Sequence, residues 1–387
     1  MTGTELVDRA VGCLAGAAVG DALGGATEGW EAREIAEHYG GPVTGIVQSI
    51  RRMRGLEKPF SPFHKGDGHV TDDTLLTRAL VAVYAEKRDR LTAFDIAERL
   101  VPRLVDEKVW VPEYGREELL YHRLFLAEKW LVLKLKYGHA DPREAGVGNI
   151  VNCGAAIYMA PVGLANAGDP DAAYAEALYI SGAHQWSYGR EAAAVLAAAV
   201  AEAVTPGATV DGVVETALRV AHDGTRAAIA AVVDAAATLT DWESALVPLR
   251  AAFAPFDSVG PVYAEPGLAA RTPSRLHSIE ELPIALGLLV VTQGGFEGTV
   301  LGGVNYGRDS DSIAAMGGAL AGALGGTAAL RRDWVDEVAA ASRMDLEEPG
   351  RTMAEVAAAI FARDAATHER RAQAMTQLTA GGVVAEA

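Results

Sequence analysis

At 387 residues, half of them hydrophobic, the chain has ample material for a sizeable core, and its formal net charge of −17 excludes the basic stripe that nucleic-acid binding requires. The two cysteines, Cys13 and Cys153, sit among small apolar residues, where a thiol behaves as a small hydrophobe, so no disulfide framework is implied. Acids near the start stand where an export signal would need a basic and then an apolar run, and the expected setting is reducing and cytoplasmic.

Alanine is abundant, apolar residues recur at helical spacing and β-branched runs bounded by turns are scarce, so the chain reads as all-α with no need of a sheet. Taken in order, helices are expected over 5–24, 75–87, 117–137, 172–181, 190–204, 210–222, 224–237, 279–292 and 313–330. The last of these carries no charge for 18 residues, but it is mainly Ala and Gly, which predicts a packed core helix and not a membrane span. Glycines recur every four residues at Gly12, Gly16, Gly20 and Gly24, and again at Gly318, Gly322 and Gly326. Each costs a helix about 1 kcal/mol relative to alanine, and close contact of two backbones is the compensation. The first helix and the 313–330 helix are therefore expected to meet at the centre of one domain spanning 1–365, followed by a frayed tail over 366–387. Irregular stretches over 40–69, 105–145 and 253–277 read as lids or binding segments, the second as a lid or interface insertion.

Three polar clusters interrupt this pattern. Thr71, Asp72, Asp73 and Thr74 precede an amphipathic helix, where one such residue suffices as a cap; four of them suit either capping or a hard divalent cation. Arg308, Asp309, Ser310, Asp311 and Ser312 repeat the design ahead of the second glycine-rich helix, so two acid-hydroxyl clusters stand at helix mouths and could converge on a pair of cations. A calcium loop at Asp309 fails for want of its mid-loop glycine and closing glutamate. A haloacid-dehalogenase-type phosphatase fails on order, because the Asp-Ser-Asp comes late, after a loop-like 302–307. The third cluster, Gly20 to Glu28, places Asp21 and Glu28 seven apart, with glycines ending the helix between them; alone, Glu28 reads as an ordinary exposed glutamate on a mobile segment.

Gly20-Asp-Ala-Leu-Gly24 with Glu28, then Thr71 to Thr74, then Asn152-Cys-Gly-Ala-Ala-Ile-Tyr-Met-Ala-Pro161, then Asn305 to Ser312, in that order, resemble the motif set of the ADP-ribosylglycohydrolase family, over about Val11 to Gly326. The resemblance implies a compact orthogonal helical bundle and a binuclear magnesium or manganese centre, with ligands at Thr71, Asp72, Asp73, Asp309, Asp311 and Ser312. It implies that Glu28 gates the metals and acts as acid or base, and it sets Asn152, Gly154, Tyr158, His184 and Arg308 on the substrate side. The implied partner is an ADP-ribosylated substrate or a small ribosyl metabolite. A phosphorylated or nucleoside-like metabolite, or a non-catalytic crystallin-like member, are the alternatives on the same fold. Two departures from the pattern, Ile157-Tyr158-Met159 and Gly307-Arg308-Asp309, fall on the substrate side. His184 also suits a buried structural role, and Arg51, Arg52, Arg54, Lys58 and Lys65 suit either a solvated loop or a phosphate-holding flap. Arg308, next to the expected cations, needs an anion beside it: Asp309 or Asp67, or a substrate phosphate or carboxylate.

Overall fold

The computed structural model describes residues 4–56 and 65–380. Its α-helices run in order α1 (Glu5–Gly24), α2 (Ala32–Tyr39), α3 (Ile50–Met53), α4 (Asp72–Lys87), α5 (Ala93–Asp95), α6 (Val101–Asp106), α7 (Leu126–Leu131), α8 (Ala160–Ala165) and α9 (Pro170–Ser181). They continue as α10 (Ser187–Ala203), α11 (Val210–Val220), α12 (Asp223–Ala236), α13 (Trp242–Phe253), α14 (Glu281–Val291), α15 (Phe296–Tyr306), α16 (Ser310–Gly325), α17 (Arg332–Ser342) and α18 (Glu348–Ala380). Among the described residues the fold is all-α save for one antiparallel hairpin, β1 (Lys108–Val111) with β2 (Arg116–Leu119), in register Lys108 to Leu119.

The second strand of the hairpin takes the first three residues of the segment expected as helix over 117–137. Gly115 turns the chain at a positive φ of 58°, and the rest of the segment is broken into a 3-10 turn (Leu120–Arg123), α7 and a π turn (Val132–Tyr137). The loop-like expectation for 302–307 is also overturned. The glycines of α15 are contact points: a Cβ on Gly302 would lie 2.6 Å from Leu288, and one on Gly303 would lie 2.8 Å from the Ala314 backbone nitrogen. The last helix, α18, is continuous past residue 366 to Ala380, with residues 361–380 exposed. Among the described residues, no helix is long and apolar enough to cross a membrane.

The two glycine rows do meet. Gly12 lies against Gly322, Gly16 against Gly318, Gly20 against Ala314 and Gly24 against Ser310, so α1 and α16 run antiparallel with one contact per turn. Arg9 in α1 donates to the Ala203, Ala323 and Leu324 carbonyls, a guanidinium placed at the negative C-terminal ends of α10 and α16. This axis is buried in the main core, and α12, α13 and α14 build a second cluster against Tyr306 and Ile313. A Cβ on Gly16 would sit 2.5 Å from the Gly318 carbonyl oxygen. Gly16→Ala is therefore expected to force the two helices apart and lower stability by about 1–3 kcal/mol, read as a fall in Tm. An unchanged Tm would show that the axis yields freely.

Candidate functional site

Both ends of the glycine axis matter, because the end carrying Gly24 and Ser310 brings the polar clusters together. At the start of α4 the cap is supplied by another helix. Asp21, fully buried near the end of α1, accepts the Thr71 amide at 3.0 Å and the Thr74 amide at 3.2 Å, together with the Thr74 hydroxyl. Thr71 is the N-cap residue, its hydroxyl accepting the Asp73 amide at 3.3 Å. With the helix end satisfied by these groups, Asp72 and Asp73 are free to face outward. Asp72 accepts the Phe125 amide at 3.0 Å, and Asp73 accepts the Ser312 hydroxyl at 3.1 Å.

The start of α16 is tied to the same place. The Ser310 hydroxyl donates to the Gly24 carbonyl at 2.9 Å, and the Thr27 hydroxyl to the Val304 carbonyl at 2.7 Å. Next to Gly307, Gly29 N–H donates to the Arg308 carbonyl and Arg308 N–H to the Trp30 carbonyl, both at 2.7 Å. Gly307 has φ 76° and presses on the Trp30 carbonyl where a Cβ would clash, so the approach needs glycine. Glu28 lies between two anchored residues of this turn and is only 6% exposed, which corrects the exposed, mobile glutamate expected from local sequence. One ligand atom each from Glu28, Asp309 and Asp311 fall within 4.8 Å of one another.

The cavity that results has a volume of about 360 Å³, and six carboxylates line it: Glu28, Asp72, Asp73, Glu128, Asp309 and Asp311. Two guanidinium groups, Arg51 and Arg271, line it as well, so the acids outnumber the bases by four. Burial and mutual repulsion raise four of these acids, Asp72, Asp73, Glu128 and Asp311, in the metal-free protein. Asp72 is pushed up to about 7, mainly by burial, and Glu128 to about 8 by burial and then by Asp72. Asp73 and Asp311 lie well above the ordinary carboxylate range for the same reasons, burial first and neighbouring carboxylates next. The donor set, oxygen throughout and over-supplied with negative charge, fits hard divalent cations.

This arrangement makes a pH prediction. An acid whose folded-state pKa is raised stabilises the fold fully below its ordinary value of 3.8 and loses that contribution as pH rises through the folded value, about 7 for Asp72. His184, lowered by burial to about 4, acts in the opposite sense below its ordinary value of 6.5, but it is one group against four acids. Metal-free protein is therefore expected to melt lower at about pH 8 than at about pH 6, and magnesium, which competes with those protons, should raise Tm more at the higher pH. Equal magnesium-induced shifts at both would argue against cation binding at these acids.

The expected substrate residues divide. Asn152 and Gly154 line the cavity, as does Ser312, expected as a metal ligand. Tyr158 and His184 are buried one layer behind it: the Tyr158 hydroxyl donates to His184 Nδ1 at 3.1 Å, and Nε2 donates to the Ala127 carbonyl at 3.1 Å. They brace the residue before Glu128, whose Oε1 is 3.7 Å from His184 Nε2. Thr71 lies beneath Asp73 and is not among the lining residues. Arg308 is 1% exposed and turned away, bonded to Glu280 at 2.6 Å, Asp257 at 3.2 Å and Glu31 at 3.4 Å; neither Asp309 nor Asp67 is its partner. Of the basic run, Arg51 reaches the cavity, Arg52 pairs with Asp67, Arg54 lies over Trp30, Lys65 is buried, and Lys58 lies outside the described residues. Glu128, Tyr263 and Arg271 are lining residues that local sequence does not single out, although the last two sit in the 253–277 segment read as a lid. The 105–145 segment likewise supplies Phe125 and Glu128 to the wall.

The comparisons with known proteins bear on the family and the fold. A family model described as ADP-ribosylglycohydrolase matches residues 2–371. The ADP-ribosyl-[dinitrogen reductase] glycohydrolase of Rhodospirillum rubrum is 33% identical over 174 residues, 44% of this chain and 49% of that protein, so the match spans about half of the relative. A solved structure titled ADP-ribosylglycohydrolase-related protein complex shares the fold at a TM-score of 0.58 and 23% identity, covering 91% of this chain and 98% of that one. With the profile matched over nearly its whole length and the all-α fold in common, the chain belongs to the ADP-ribosylglycohydrolase family.

Proposed function

We propose that the chain hydrolyses the glycosidic bond at the anomeric carbon of an ADP-ribosyl or related ribosyl group, with two divalent cations, magnesium or manganese, held by Asp72, Asp73, Asp309 and Asp311. Ser312 contributes a hydroxyl beside Asp73, and Thr71 fixes the helix end from which Asp72 and Asp73 project. The observation that carries the reading is the charge of the cavity wall, six carboxylates against two guanidinium groups. When bound, the cations supply Lewis acidity, lowering the pKa of a water and orienting ribose hydroxyls. Glu28 moves the proton between that water and the leaving group, since it is the wall carboxylate carried on a turn and not on a helix end. Arg51 and Arg271 hold phosphate oxygens, for which a planar guanidinium offers paired donors. Asn152 and Gly154 bound the sugar, with Phe125 and Ile157 as the apolar wall. An assay of ADP-ribosyl arginine, ADP-ribosyl serine and ADP-ribose derivatives with magnesium tests this: release of ADP-ribose that a chelator abolishes is expected, and no turnover of any of them would overturn it.

Glu28→Gln separates proton transfer from metal holding. Turnover is expected to fall by about two or more orders of magnitude with metal content kept, because a neutral amide conserves shape but carries no proton. Loss of metal in parallel would make Glu28 a ligand.

A further inference from the structure

Beside the carboxylate cluster stands a second group of donors, two of which, Cys153 and Glu281, have no part in the proposed reaction. Cys153 opens a 3-10 turn (Cys153–Tyr158) capped by Asn152, Glu281 opens α14, and Asp309 precedes α16. One ligand atom from each falls within 4.8 Å of the others, and the Cys153 Sγ to Asp309 Oδ2 distance is 3.2 Å. Glu281 is 7% exposed, and its Oε2 has no hydrogen-bond partner although it is buried. One of its carboxylate oxygens lies within 4.8 Å of one from Asp309, a close approach of two acceptors that a cation between them would stabilise. Arg271 is the positive group nearby, and it is already bonded to the Tyr263 hydroxyl. Cys153 and Asp309 line the cavity, so an ion reaches the group from solvent while Glu281 closes it from inside.

We propose that Cys153, Glu281 and Asp309 form a cation site of their own, adjoining the magnesium-type cluster through Asp309 and selecting a thiophilic divalent ion such as zinc, cobalt or cadmium. The selection follows from the donors. Magnesium takes oxygen ligands, whereas a thiolate with two carboxylates suits borderline and soft ions. A tetrahedral zinc with about 2.3 Å to sulfur and about 2.0 Å to oxygen holds its ligands about 3.5 Å apart, near the observed sulfur-to-oxygen separation. As the sulfur–metal bond forms, the thiol proton leaves to solvent. Cys13, the other cysteine, is fully buried against α16 and has no carboxylate beside it, so it is an internal control.

The test reads the metal–thiolate bond and not turnover, so it fails or succeeds apart from the proposed reaction. Metal-free full-length protein is titrated with cobalt(II) alone and followed in the near ultraviolet. A sulfur-to-cobalt charge-transfer band is expected in the wild type and in Cys13→Ala, and its absence in Cys153→Ser. Glu281→Gln, which keeps the thiol, should weaken cadmium binding by about tenfold or more while magnesium affinity changes by less than about threefold. No band in the wild type, a band that survives Cys153→Ser, or unchanged cadmium affinity in Glu281→Gln would each overturn the site.

Discussion

Asp73→Asn and Asp311→Asn are each expected to reduce hydrolysis by about three or more orders of magnitude, to weaken magnesium binding, and to leave the helical far-ultraviolet signal intact. Neither side chain contributes core packing, and each is a charge held in a buried cluster of like charges. The stability readout therefore discriminates sharply. In metal-free protein, removing one of these charges relieves repulsion and desolvation, so Tm should hold or rise. In the presence of magnesium the order reverses, because the wild type gains binding free energy that the variant lacks. A fall in Tm of the metal-free variant would mean that the carboxylate is a structural acceptor and not a cation ligand. Wild-type turnover in either variant would remove these acids from the reaction altogether.

Much of this arrangement is legible in the chain because it is encoded at fixed spacing. The glycine rows repeat at four residues, which fixes a helix face, and their match to one another follows from steric need alone. Asp72, Asp73, Asp309 and Asp311 stand just ahead of apolar periodicity, so their location at helix ends is read locally. What local reading misses is long-range. Asp21 lies fifty positions before the helix it caps, and only the fold shows that it releases Asp72 and Asp73 from capping. Glu128 follows a hairpin and a short turn that break the expected helix, and Arg271 and Tyr263 come from a segment without periodicity. Glu28 is an ordinary glutamate by sequence and a buried one in the fold, because Thr27 and Gly29 are pinned to α15 and the 307–310 turn from the far end of the chain.

Arg308→Ala is expected to destabilise the protein by about 3–5 kcal/mol, the largest structural effect of any substitution considered. Arg308 is 1% exposed and bonded to Glu280, Asp257 and the Gly260 carbonyl, with Glu31 beyond. Removing it leaves Glu280 and Asp257 to Arg250, at 3.5 Å and 2.5 Å respectively, and strands buried negative charge. The backbone makes a second demand. Arg308 has φ 57°, a left-handed conformation that costs a non-glycine residue about 1 kcal/mol, so its side chain must return more than that. What it holds in place is the 253–277 segment: its guanidinium grips Asp257 and Gly260 and lies 5.2 Å from the Tyr263 ring, which lines the cavity. Arg308→Lys keeps the charge but not the fork, and should lower Tm and raise KM together through the loosened Tyr263 wall. Arg308→Gly relieves the φ cost yet loses every ion pair, so it should lie close to Arg308→Ala in stability. If Arg308→Lys instead raised KM at least tenfold with Tm unchanged, the guanidinium would be gripping substrate directly and the buried ion cluster would not be its role.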